Sequence, residues 1–185
     1  MNTANKLTLM RVILVPVFMA LLLIDGMWFK LGALIVFGIA SITDALDGYI
    51  ARSRNQITTF GKFVDPLADK ILTTAAFLCF LVIGVYNPIS GLIALMIILT
   101  REFAVSGVRL VAVGEGKVIA ASIYGKIKTV SQMLAIVVAL ILITFCPNAT
   151  FVPIINEILL WITVVFTVIS GIEYIVKNKD LIKLK

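Results

Sequence analysis

Four aspartates stand out in an otherwise apolar chain. Asp44 and Asp47 are three residues apart, and Asp65 and Asp69 are four apart. On a helix, residues three and four apart share a face. Asp44, Asp47, Gly48 and Ala51 then form one stripe, and Gly61, Asp65 and Asp69 form another. The segment Arg52–Phe60 is polar enough to turn the chain back, so two antiparallel helices can face each other with the carboxylates between them. The glycines and the alanine on the same faces leave room for a ligand. Unpaired in a lipid setting, four carboxylates would cost on the order of 10 kcal/mol, so cations or a water-filled cavity must compensate them. The chain contains no histidine. Hard oxygen donors without imidazole or thiolate suit Mg²⁺ or Mn²⁺ better than zinc or copper.

The elements that carry these residues follow from composition. Of 185 residues, 61% are hydrophobic and 14% charged, and the mean hydropathy is +1.12. Soluble domains average ~25% charged residues, so this chain reads as one whose solvent is lipid. About 20 apolar residues cross a bilayer core. Candidate spans fall near 12–29, 32–52, 63–86, 89–112, 127–145 and 152–176. The expected fold is an all-α integral membrane protein with six transmembrane helices and a short interfacial N-terminal helix. Residues 1–185 read as a single domain without repeats. Pro66 is expected in the first turn of the third span, where proline is tolerated. Cys79 and Cys146 have no metal-site spacing and read as free thiols.

The charges suggest an orientation. With both termini in the cytoplasm, Lys6, Arg11, the segments Arg52–Lys62 and Arg109–Lys128, and the terminal lysines from Lys177 onward share one side. Of the basic residues only Lys30 falls opposite, as the positive-inside rule favours. The net charge of +6 then belongs to a cytoplasmic membrane face. It suits anionic lipid and phosphate-bearing substrates. No aromatic-basic stripe speaks for nucleic acid.

The run from Asp44 through Asp47, Gly48, Ala51 and Arg52, followed at fixed spacing by Gly61, Asp65 and Asp69, resembles the signature of the CDP-alcohol phosphotransferase family without a departure. The resemblance implies that Asp44, Asp47, Asp65 and Asp69 ligate two divalent ions, Mg²⁺ or Mn²⁺, and that Asp69 is also the catalytic base. It implies a CDP-binding stripe of Gly48, Ala51, Arg52 and Gly61. The N-terminal segment Asn5–Arg11 is similar to the family's own, which places Asn5 and Thr8 near the nucleotide. It further implies a homodimer in the cell membrane, with the active site cytoplasmic.

The second half of the chain bears on the acceptor. Arg101, Glu102 and Arg109 sit in or beside the fourth span, and Lys126 and Lys128 open the fifth. Arg101 needs a carboxylate or phosphate partner in lipid, and Glu102 is a candidate. Arg101, Arg109, Lys126 and Lys128 together could receive a phosphate-bearing acceptor. The stretches Arg101–Arg109 and Gly125–Gln132 look like those of the family's phosphatidylglycerophosphate synthase branch, which joins CDP-diacylglycerol to glycerol 3-phosphate. Inositol phosphate, serine and phosphatidylglycerol are the alternative acceptors. An ion-coupled transporter is a second class, but it would place its carboxylates near mid-membrane. Here they lie at one face.

Overall fold

The computed structural model describes residues 3–53, 59–114, 119 and 122–179. Among these residues six helices follow in order: α1 (Thr3–Leu23), α2 (Met27–Ser53), α3 (Thr59–Val82), α4 (Pro88–Gly114), α5 (Ile123–Phe145) and α6 (Phe151–Lys177). No strand occurs among the described residues. By length and composition α4, α5 and α6 can each cross a membrane, and within α1, α2 and α3 apolar stretches cover Leu9–Leu23, Met27–Thr43 and Lys70–Val82 among the residues whose side chains are described.

The breaks between helices have local causes. α1 is continuous from Thr3, so the N-terminal segment forms its opening turns and is not a separate element. The apolar run expected over 12–29 is interrupted at Gly26, whose φ of 133° is open to glycine but strained for other residues. α3 begins at Thr59, so Pro66 lies inside the helix and not in its first turn. α3 ends in a Schellman motif: Val85 N–H donates to Phe80 C=O (2.9 Å) and Gly84 N–H to Leu81 C=O (3.4 Å). Gly84 takes the required left-handed conformation at φ 73°, and Val85 and Phe80 are both buried. α4 starts on a side-chain cap. Asn87 Oδ1 accepts from the amides of Ile89 (3.1 Å) and Ser90 (3.3 Å), with Pro88 at the first helical position.

The chain divides into two compact units. One comprises residues 1–85 with 136–152, the other 86–135 with 153–185. In the first, α1 packs against α2 and α3. Phe18 and Phe37 sit at its centre, fully buried, with ring centroids 5.6 Å apart and planes at 49°. Ala33, Ala40, Ala75 and Ala76 are buried too, the small-residue packing that membrane helices use in place of a hydrophobic driving force.

In the second unit, α6 has its polarity turned outside in. Asn156, Thr163, Thr167 and Ser170 are buried, whereas Ile158, Ile162, Val165, Ile169 and Ile172 are exposed. A helix in water would invert that arrangement. Thr167 and Ser170 are satisfied locally, donating to Thr163 C=O (2.7 Å) and Thr167 C=O (3.3 Å). Such a helix belongs in lipid.

Candidate functional site

The acidic signature lies on the first unit. Asp44 and Asp47 fall on α2, and Asp65 and Asp69 on α3, so both pairs have the helical frame that their spacing requires. Gly48, Ala51 and Arg52 occupy the last turns of α2, and Gly61 the first turn of α3. Asn5 and Thr8 belong to the opening turns of α1. The side chains of all these residues lie outside the described part of the structure, as do residues 54–58 entirely. Among the described residues no cluster of acidic, cysteine or histidine side chains could hold a metal ion. The chemistry of the donor set fits a hard divalent cation, since it offers carboxylate oxygen alone.

The basic residues of the second unit are resolved in more detail. Glu102, on α4, is the hub. Its Oε1 accepts from Arg101 Nη1 at 3.2 Å and from Lys128 Nζ on α5. Lys128 is buried. A buried charge stripped of its partner typically costs 3–5 kcal/mol, so this contact fixes α4 against the start of α5. The expected carboxylate partner of Arg101 is therefore its own neighbour in sequence.

The stem of Arg101 runs over a glycine on α6. A Cβ added at Gly171 would stand 3.0 Å from Arg101 Cγ, a tight contact that Arg101 could relieve only by giving way. At the other end, a Cβ on Gly125 would come within 3.8 Å of Arg101 Nη2. Arg101, Thr100 and Gly171 also line a groove of about 390 Å³ between α4 and α6, otherwise walled by apolar residues such as Met96, Ala104, Val168 and Ile172. Arg101 Nε is buried and finds no hydrogen-bond partner among the described residues.

The structure thus joins Arg101 and Lys128 through one carboxylate, but engages the other two basic residues differently. The Arg109 guanidinium carbon lies 5.8 Å from the Tyr174 ring centroid, a cation–π contact. Tyr174 is buried, and its hydroxyl has no partner among the described residues. Lys126 is exposed and makes no ion pair among the described residues. Sequence reasoning missed Tyr174 and Gly171. The only signal for Gly171 is its small size in a β-branched helix, and Tyr174 gives none. Both cysteines are free, as expected.

A second polar cluster ties α6 to the start of α4. Glu157 Oε1 accepts from the Asn87 amide, and its Oε2 accepts from Ser90 Oγ at 2.7 Å. Trp161 Nε1 donates to the same Ser90 oxygen at 3.0 Å. Burial, and secondarily the Glu157 carboxylate, raise the pKa of the nearby Tyr86 hydroxyl and keep it protonated. This cluster holds a capped helix end and no reactive group. Its role is structural.

Comparison with known proteins adds to this geometry. The family model described as CDP-alcohol phosphatidyltransferase matches residues 1–169. A Bacillus subtilis protein is 43% identical over 98% of this chain and 97% of its own length. A Rickettsia typhi protein is 39% identical over 94% of both chains. A Shigella flexneri protein is 34% identical over 94% of this chain and 93% of its own. All three carry the name CDP-diacylglycerol–glycerol-3-phosphate 3-phosphatidyltransferase.

Proposed function

This chain belongs to the CDP-alcohol phosphatidyltransferase family, and we propose that it moves the phosphatidyl group of CDP-diacylglycerol onto glycerol 3-phosphate, as a phosphatidylglycerophosphate synthase. The observation that carries this reading is full-length similarity to relatives of that name. The charge arrangement on α4 and α5 agrees with it, since a phosphate-bearing acceptor needs cations that an uncharged alcohol does not.

In this mechanism Asp44, Asp47, Asp65 and Asp69 hold two divalent ions, Mg²⁺ or Mn²⁺. When bound, such a pair supplies charge neutralisation on the diphosphate oxygens. Gly48, Ala51 and Gly61 leave space for the cytidine diphosphate, Arg52 reaches its phosphate oxygens, and Asn5 and Thr8 contact the nucleotide. Asp69 takes the proton from the acceptor hydroxyl. The acceptor oxygen bonds to the phosphorus that carries the diacylglycerol, the bond from that phosphorus to CMP breaks, and CMP leaves with the electron pair. Arg101, Arg109, Lys126 and Lys128 serve the acceptor phosphate.

The whole chain acts as one catalytic domain in the cell membrane. Both termini and the aspartates face the cytoplasm, as the lysine and arginine asymmetry supports, and the functional form is a homodimer. The decisive experiment incubates purified protein with CDP-diacylglycerol, Mg²⁺ or Mn²⁺ and a panel of alcohols, and measures CMP release. Glycerol 3-phosphate should give the fastest release. Faster release with serine, inositol phosphate or phosphatidylglycerol would refute the acceptor assignment.

A further inference from the structure

We propose that Glu102 is a positioning residue for the acceptor, holding the Arg101 guanidinium so that its Nε–Nη2 edge stands ready for two phosphate oxygens. The inference rests on the reading of Arg101 and Lys128 as acceptor-phosphate ligands, and it assigns a role to the acidic residue between them.

The geometry is specific about which parts of Arg101 are committed. A guanidinium offers five N–H donors in a rigid plane. Nη1 is spent on Glu102 Oε1, at 3.2 Å. Nε, buried, and Nη2 have no hydrogen-bond partner among the described residues. These two nitrogens share one edge of the plane, the edge that grips a phosphate or carboxylate in bidentate fashion. A buried donor left without an acceptor is costly, so an unfilled fork marks a place that an anionic oxygen would fill.

Glu102 does more than neutralise. Both Arg101 Nη1 and Lys128 Nζ reach the same oxygen, Oε1. The two cationic heads are thereby held close together, where they would otherwise repel. Anchored at Nη1 and resting its stem on Gly171, Arg101 can rotate little about its long axis. One glutamate therefore sets the orientation of the arginine and the location of the lysine. The side chains of Glu102 and Arg101 are each 13% exposed, so bulk water screens these contacts weakly.

The test compares Glu102→Gln, Glu102→Asp and Arg101→Lys with the wild type in detergent. Each is assayed for CMP release with glycerol 3-phosphate and CDP-diacylglycerol varied in turn, and for thermal unfolding. Glu102→Gln should raise the KM for glycerol 3-phosphate about ten- to hundredfold, the range for losing a hydrogen bond to a charged group. The KM for CDP-diacylglycerol and kcat at saturating acceptor should each stay within about twofold. Glu102→Asp keeps the charge but withdraws the oxygen by one methylene, so its acceptor KM should lie between. Arg101→Lys keeps the charge and loses the fork, and should match Glu102→Gln. If Glu102→Gln fails to fold because it leaves Lys128 uncompensated, Glu102→Asp carries the test alone. Acceptor KM values at the wild-type level in either folded Glu102 variant would overturn the proposal, as would equal rises for donor and acceptor. A wild type that releases no CMP with glycerol 3-phosphate would instead overturn the acceptor reading beneath it.

Discussion

Replacing Gly171 by alanine adds one carbon to α6, and the structure says where that carbon goes. It would stand 3.0 Å from Arg101 Cγ and 3.9 Å from Arg101 Cβ. Carbon atoms at optimal contact sit ~3.5–4.0 Å apart, so the first distance is tight and Arg101 must give by a few tenths of an ångström. The strained atom lies near the root of the side chain, where a flexible tip cannot absorb the clash. Either α6 moves from α4, or Arg101 changes rotamer and pulls Nη1 off Glu102. Overpacking of this kind typically costs ~1–3 kcal/mol. Alanine also returns up to ~1 kcal/mol of helix propensity over glycine. A control separates the two contributions. Gly107, on α4, has nothing within 4 Å of its added Cβ, so Gly107→Ala carries the propensity gain alone. Gly171→Ala should therefore unfold below Gly107→Ala by the overpacking cost, a Tm gap of roughly 2–12 °C by the usual conversion for a chain of this size. Thermal unfolding in detergent measures the gap, and CMP-release kinetics should find a raised KM for glycerol 3-phosphate only in Gly171→Ala. Equal Tm values with equal acceptor KM would refute the packing of Arg101 on α6.

Three further outcomes are expected. Asp69→Asn removes the proton acceptor while keeping one oxygen, and should lower turnover by ~10²–10⁴-fold; Asp44→Ala, Asp47→Ala, Asp65→Ala or chelation should abolish it, which CMP release detects. Glu157→Gln weakens two hydrogen bonds to a carboxylate, from the Asn87 amide and from Ser90. It should cost about 1–3 kcal/mol in thermal unfolding without a change in either KM. Cysteines placed at Ser53 and Lys185 should be labelled only from the cytoplasmic side, and at Asn87 and Asn148 only from outside; labelling of position 53 in intact cells by an impermeant reagent would refute the topology.

Much of this was legible in the sequence because lipid simplifies the problem. Six apolar runs became six helices, since each long run must satisfy its own backbone hydrogen bonds. Boundaries were less legible. Leu21–Ile24 and Met27–Phe29 are all apolar, so hydropathy ran past the turn that Asp25 and Gly26 signal in their own chemistry. The aspartate spacing was local and therefore readable. Contacts across the fold were not. Glu102 could be named as a candidate partner for Arg101, but its hold on Lys128 spans 26 residues, and no local pattern announces it. The resting place of Arg101 on Gly171 and the Arg109–Tyr174 contact are likewise tertiary facts. They come from packing, which composition and periodicity do not encode.

The sharing of Glu102 also bears on how the chain is made. When α4 leaves the ribosome and meets the translocon, Arg101 arrives with its counter-ion already beside it. Lys128, near the start of α5, has no acidic residue within a turn of it in its own helix, and it adds to the cost of inserting that helix, by less than the ~2.5–3.5 kcal/mol of a lysine at a helix centre. Its carboxylate exists only if α4 has gone in first. Synthesis from the N-terminus delivers the helices in that order. A circularly permuted chain that presented α5 before α4 would reach the bilayer with Lys128 lacking the Glu102 carboxylate, and its insertion yield should fall even though every native contact could form in the finished protein.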